Sequence, residues 1–202
     1  MLEAAGLECE RGGRTLFRSL SLSLQPGESL RISGANGSGK TSLLRILCGL
    51  AAPSAGEVRW HGSPIRELKE EYAKQLVYLG HSSAVKGDLT AAENLSITCT
   101  LAGLQVRKTA LHAALERFGL GASAVPVRKL SQGQRRRAAL ARLCLSAAVP
   151  LWLLDEPFSA LDATGIELLR ALLLEHLARR GAVAFTTHQD PGIAATHVVD
   201  LG

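Results

Sequence analysis

Aromatic side chains are scarce: four Phe, two Tyr and two Trp in 202 residues. So few stacking platforms argue against a protein built to hold single-stranded nucleic acid. No apolar run approaches the ~20 residues that cross a bilayer. The first ten residues, M-L-E-A-A-G-L-E-C-E, contain acids but no Lys or Arg. That is not the basic start of a signal peptide. These absences lead to the expectation of a cytosolic protein whose membrane part, if there is one, belongs to another chain. Cysteine is present without a framework. Cys9, Cys48, Cys99 and Cys144 lie far apart with no C-x-x-C pair, so they read as small apolar fillers in a reducing compartment. The formal net charge of +5 fits a solvated basic face. It is also weakly attractive to an anionic surface or to nucleic acid.

What the chain does have is a core. Hydrophobic residues make up 47% and charged residues 20%, ordinary for one α/β domain. There are no repeats or low-complexity segments. Leu20, Leu22 and Leu24 alternate with Ser19, Ser21 and Ser23, the period of a half-buried strand. Pro26-Gly27-Glu28 is a turn, and Ser29 to Ser33 reads as a short strand. A glycine-rich loop follows, then an apolar helical segment from Leu43 to Leu50. Pro53 to Gly56 breaks that pattern, and Glu57 to Trp60 reads as a strand. Residues 66 to 75 are charged and read as helix. Leu and Ala recur at helical spacing from 88 to 148. Leu151 to Leu154 is a fully apolar run, hence a buried strand. A helix over 165 to 180 and a strand from Ala182 to Thr186 close the reading. Strands alternating with helices predict a parallel α/β sheet, into which the helical middle is inserted.

Gly34-Ala35-Asn36-Gly37-Ser38-Gly39-Lys40-Thr41 fits G-x-x-x-x-G-K-[ST] between a strand and a helix, where a phosphate loop belongs. Its glycines let successive N–H groups turn inward toward phosphate oxygens. The helix start adds the positive end of its dipole. Lys40 is expected to reach the β- and γ-phosphates of a nucleotide, the Thr41 hydroxyl to ligate Mg²⁺, and Ser42 to complete the nucleotide contacts. Asp155 and Glu156 follow the buried run at its carboxyl end, where α/β sheets place ligands. Asp155 is expected to hold Mg²⁺ through a water. Glu156 is expected to polarise the attacking water as general base. Alone, such a loop fits a kinase, a GTPase or a helicase equally.

A further motif narrows the choice. Leu130-Ser131-Gln132-Gly133-Gln134, followed by R-R-R-A-A-L-A-R-L, resembles the signature of the ATP-binding cassette (ABC) ATPases, L-S-G-G-Q. Gln132 replaces the first glycine. Ser159-Ala160-Leu161-Asp162 resembles the D-loop of that family, and His188 its switch histidine. The motifs occur in the family's order and span the chain. The resemblance implies an α/β P-loop NTPase fold. It has a RecA-like parallel sheet core, an N-terminal antiparallel β subdomain and an inserted helical subdomain. It implies one ABC ATPase domain over 1–202, with 1–80 and 149–202 as core and 82–148 as the helical insertion. It also implies ATP and Mg²⁺ as cofactors and a head-to-tail homodimer formed on ATP binding. In that dimer the signature of one copy caps the γ-phosphate held by the other, and His188 acts with Glu156 in hydrolysis.

Two positions depart from the family pattern. The aromatic residue that stacks on adenine is missing; by spacing Arg11 is close to its place, with Phe17 the weaker alternative. His81 stands where the family usually has the glutamine of the coupling loop, a position that touches Mg²⁺ or the attacking water. Y-L-G-H, L-T-A-A-E-N-L, the R-R-R-A-A-L-A-R-L run and T-T-H-Q on a chain this short are similar to the ATPase subunits of the bacterial haem exporter of cytochrome c maturation. That likeness implies integral membrane partner subunits and a peripheral place on the cytoplasmic face of the inner membrane. It also implies a docking surface within 82–110, where Ala84, Val85 and Leu89 are apolar candidates. Nucleic acid is not expected as a partner. Other exporters, amino-acid importers and soluble ABC ATPases of DNA or the ribosome are the alternatives. DNA-acting members carry a long coiled coil between phosphate loop and signature, and only about 90 residues separate them here.

Overall fold

The computed structural model of the chain describes residues 1–81, 85–121, 124–188 and 192–202. Strands β1 (Leu2–Arg11) and β2 (Arg14–Leu24) form an antiparallel hairpin, with Leu20 and Leu22 half-buried, Leu24 buried and the serines between them exposed. Strand β3 (Ser29–Ser33) runs into the glycine-rich loop and helix α1 (Lys40–Leu47). Next come β4 (Ala55–Trp60), the two-residue β5 (Ser63–Pro64), the single turns α2 (Ile65–Leu68) and α3 (Glu70–Ala73), and β6 (Leu76–Leu79). Helices α4 (Ala91–Leu101), α5 (Lys108–Arg117), α6 (Gln132–Leu140) and α7 (Arg142–Leu145) separate β6 from β7 (Leu151–Leu154). Helix α8 (Ala163–Ala178), β8 (Ala182–Thr186) and β9 (His197–Asp200) complete the chain.

The strands sort into two sheets. An antiparallel sheet has the order β2-β1-β4-β5, and a parallel sheet has the order β6-β7-β8-β3-β9. The parallel sheet is covered on both faces, and its side chains divide by parity. Leu151, Leu153, Ala182 and Ala184 join one core, shared with α1 and the antiparallel sheet. Trp152, Leu154, Val183 and Phe185 join the other, shared with α4 to α8. This two-faced burial is why β7 is apolar at all four positions. All four cysteines are free, three of them buried.

Element ends depart from the sequence expectations for local reasons. Helix α1 begins at Lys40, directly after the loop, because Gly39 takes a left-handed conformation, φ 108°, that turns the loop into the helix. It ends before Leu50 because Cys48 and Gly49 leave helical geometry. The charged stretch 66 to 75 is two turns rather than one helix, since Lys69 sits at φ 43° between them. Helix α8 starts early because the Asp162 carboxylate caps it, Oδ1 accepting from the Gly165 N–H at 3.0 Å. The edge strand β9 has only alternate half-buried residues and gives no signal of its own.

Beneath the sheet, His176 of α8 is buried and stacks on Trp152, with ring centroids 3.8 Å apart and planes 8° off parallel. Burial pulls its pKa down to about 4, against a smaller upward pull from the backbone of Pro150 and Ala182. An unfolded histidine titrates near 6.5. Below that pH the unfolded chain takes up a proton that the folded chain refuses until about pH 4, so stability falls as pH falls through this window. The expected loss between pH 7 and pH 5 is about 2 kcal/mol. Urea midpoints at the two pH values check this. His176→Phe keeps a ring on Trp152 and should remove that share of the loss. An equal loss in both proteins would place the pH dependence on other groups.

Candidate active site

The chemistry-bearing residues converge at the carboxyl ends of the parallel strands. A cleft of about 470 Å³ is lined by Asn36, Gly37, Gly39, Lys40, Thr41 and Ser42 from the loop and α1, by Asp155, Glu156 and Ser159, by His81 and His188, and by Leu16. A cavity of similar size, about 520 Å³, lies between α1, β4 and α3. It gathers mainly aliphatic side chains and turns, so chemistry rather than volume marks the site. Helix α1 opens with no side-chain cap and no acid in its first turn. Its leading N–H groups therefore meet the cleft without a competing anion, an arrangement suited to phosphate. The Lys40 ammonium, largely buried, donates to the carbonyls of Gly34 and Ala35 at 2.8 and 2.9 Å. Ser38 Oγ is buried without a partner among the described residues. A cationic, donor-rich cradle with an unmatched hydroxyl fits a polyphosphate.

Across the cleft, Asp155 is buried, at 1% exposure. Its Oδ2 accepts from the Thr41 hydroxyl at 2.8 Å, and its Oδ1 from the Thr186 hydroxyl at 2.8 Å. Thr186 Oγ1 in turn accepts the Glu156 N–H at 2.7 Å. Two hard oxygens from distant segments, Thr41 Oγ1 and Asp155 Oδ2, thus meet at one point. Such a pair fits Mg²⁺, which keeps most of its waters and takes one or two carboxylates beside substrate phosphates. Glu156 lies at φ 47°, a left-handed conformation costly for a residue with a Cβ. Arg136, itself 3% exposed, grips the turn there: its guanidinium donates to the carbonyls of Asp155 at 2.9 Å, Glu156 at 2.6 Å and Pro157 at 3.4 Å. Burial pulls the Arg136 pKa down, and the carboxylates of Asp155 and Glu156 push it back up.

His188 Nε2 lies 3.2 Å from Glu156 Oε1, without hydrogen-bond alignment. The pair faces the same space as Lys40. His81, two residues past β6, is exposed and lines the cleft too. Arg11 is exposed at the hairpin end opposite Arg14 and does not line the cleft. Phe17 is buried in the core, 8% exposed, against Gly39. The neighbour that does reach the cleft is Leu16. Of the docking candidates, Ala84 lies outside the described residues. Val85 packs against the helical core and Leu89 is half-buried.

The signature segment stands apart. Ser131 caps α6 by a capping box, its hydroxyl accepting from the Gln134 N–H at 3.2 Å while Gln134 Oε1 accepts the Ser131 N–H at 2.9 Å. Leu130 is buried, and Ser131 and Gln132 are exposed. A Cβ on Gly133 would lie 2.8 Å from the Ala160 carbonyl, so only glycine lets α6 sit this close to the turn 159–162. Arg137 joins the same elements, 3.7 Å from Asp162. None of residues 130 to 134 lines the cleft.

The family model described as "ABC transporter" matches residues 17–159. The chain belongs to the ABC transporter family. Among curated relatives, the cytochrome c biogenesis ATP-binding export protein CcmA of Aromatoleum aromaticum is 53% identical over 203 residues, covering 100% of this chain and 95% of the relative. The CcmA of Nitrosomonas europaea is 51% identical over 191 residues, covering 94% and 89%. Among solved structures, a putative ABC transporter ATP-binding protein from Pyrococcus furiosus matches with a TM-score of 0.84 at 24% identity, covering 99% of this chain and 96% of that one. A dimeric post-hydrolysis state of the ATP-binding cassette MJ0796, bound to ADP and Pi, also matches at 0.84 and 24%, covering 99% and 94%. At that identity the structural likeness carries the fold, which is the α/β P-loop fold of ABC ATPases. Three residues at this candidate site have no place in the sequence expectations: Arg136, Thr186 and Leu16. The signal for Arg136 is its place four residues before Leu140, on one face of α6 where both are buried.

Proposed function

We propose that the chain is the ATP-hydrolysing subunit of the exporter that serves c-type cytochrome biogenesis, powering haem delivery or release of the haem chaperone to the periplasm. The observation that carries this reading is the 51–53% identity over 94–100% of the chain to proteins named for ATP-binding export in that process. The residues that hold ATP are those of the loop, Gly34 to Thr41, with Ser42. Lys40 neutralises the β- and γ-phosphates, and Leu16 offers apolar contact near the base in place of the missing aromatic. Thr41 and Asp155 hold Mg²⁺, which when bound withdraws charge from the phosphates. Glu156 takes a proton from the attacking water, and His188 orients that water beside it. His81 marks the start of the coupling loop and borders the same water.

Residues 130 to 134 stay out of their own chain's cleft and are assigned to a second copy, with Ser131 and Gly133 facing the partner's ATP. Ser159 to Asp162 form the D-loop beside that contact. Closure of two copies on ATP, and their parting after hydrolysis, is the stroke that membrane subunits receive. Among the described residues no helix is long and apolar enough to cross a membrane. The reading therefore assigns the crossing to partner subunits and this chain to the cytoplasmic face of the inner membrane. Deleting the gene in the source bacterium should abolish covalently attached haem in membrane c-type cytochromes. The wild-type gene should restore it and Lys40→Ala should not. Persistence of the haem stain after deletion would assign this ABC ATPase to another membrane partner.

A further inference from the structure

Three consecutive arginines follow the signature, and they do different things. Arg135 is exposed and donates to the Leu130 carbonyl at 3.0 Å, closing the first turn of its own helix. Arg137 faces Asp162. Arg136 points inward, is 3% exposed, and finds no carboxylate within ion-pair distance among the described residues. A buried cation costs several kcal/mol in lost hydration unless its donors are matched. Among the described residues the guanidinium is matched by four backbone carbonyls and nothing else. Three belong to consecutive residues, Asp155, Glu156 and Pro157, and the fourth to Gly80 at 3.2 Å.

A cation meant only to fill a core has no reason to choose these four atoms. Glu156, the proposed base, is the middle one of the three and holds a left-handed φ of 47°. Strain of that kind persists only where the surroundings over-determine it. Arg136 supplies donors on both sides of the strained residue, and the planar fork fixes their directions as a lysine cannot. Gly80 directly precedes His81, so the same group also holds the root of the coupling loop. The helix that carries Arg136 is capped by Ser131, five residues earlier and about 7.5 Å along the axis. A single side chain thus joins the signature helix, the turn of the base and the loop proposed to face the membrane subunits.

We propose that Arg136 is a positioning residue for hydrolysis: it sets the backbone that aims Glu156 and makes the aim depend on where helix α6 lies. The proposal rests on the ATPase reading given above. None of the four carbonyls belongs to the loop of Lys40 and Thr41, so phosphate binding is expected to survive a change at 136; the one shared residue is Asp155, whose carboxylate accepts from Thr41. Lysine at 136 keeps the charge but has three donors for four carbonyls and no fork. Glutamine has two.

The test is steady-state ATP turnover by the purified full chain in its membrane complex, for wild type, Lys40→Ala, Arg136→Lys and Arg136→Gln, with thermal unfolding of each. Arg136→Lys is expected to lower kcat about tenfold and Arg136→Gln further, with KM for ATP within about twofold of wild type. A role in packing alone would lower the unfolding temperature and the active fraction without this graded order. A kcat within about twofold of wild type for a folded Arg136→Lys overturns the proposal. So does a rise in KM that accounts for the whole loss. Should Arg136→Gln fail to fold, Arg136→Lys decides by itself. Wild type that turns over no more ATP than Lys40→Ala would sink the ATPase reading, a failure distinct from an active wild type with an equally active Arg136→Lys.

Discussion

Glu156→Gln is expected to bind ATP, lose turnover by about 10²- to 10⁴-fold, the usual contribution of a general base, and accumulate as a dimer. The geometry gives the reason for so selective an effect. The bonds that hold residue 156 are made by its main chain, the N–H to Thr186 and the carbonyl to Arg136, and they survive the substitution. What changes is one oxygen, from a proton acceptor to an amide. Light scattering in ATP and Mg²⁺ should report twice the monomer mass for the variant and a return to monomer for wild type. A variant that stays monomeric under those conditions counts against closure of two copies on ATP.

Removing the ammonium has the opposite pattern. Lys40→Ala should weaken ATP itself, by roughly 10- to 150-fold for a charge-assisted bond of about 1.5–3 kcal/mol, and bring turnover to background. Among the described residues Lys40 bonds only to carbonyls of its own loop. The fold should therefore lose little, and a thermal midpoint close to wild type would separate a failed site from a failed structure. Titration with a fluorescent nucleotide measures the affinity. Near-normal turnover would remove Lys40 from the site and the phosphate-loop assignment with it.

How much of this was legible depends on how far apart the cooperating residues lie in the chain. The phosphate cradle is local: eight residues, Gly34 to Thr41, contain both the glycines and the charge, so the string reveals the site. Asp155 and Glu156 announce themselves because they end a run too apolar for the surface. Arg136 gives no comparable signal, since its acceptors stand 56, 19, 20 and 21 residues away. Neither does Thr186, which bonds Asp155 across two strands. The adenine side illustrates the remaining limit. Spacing points to Arg11 and Phe17, but the hairpin register places one outside the cleft and the other in the core, and leaves Leu16 between them at the rim. A conformation set by backbone sign, such as Lys69 at φ 43°, leaves no mark in a pattern of hydrophobicity.

The strand order has one more consequence. Strand β8 lies between β3 and β7, so the roots of the phosphate loop and of the two acids stand two strand spacings, about 10 Å, apart. The gap is bridged from below by the last residue of the middle strand, Thr186, and overlooked by His188 just beyond it. A slip of β8 by one residue would turn Thr186 toward the opposite face. It would also draw Phe185 out of its apolar setting. The sheet therefore acts as a gauge block. The same register that satisfies the core measures out the opening into which a triphosphate must fit, and an error in that measure is corrected by packing before any nucleotide arrives.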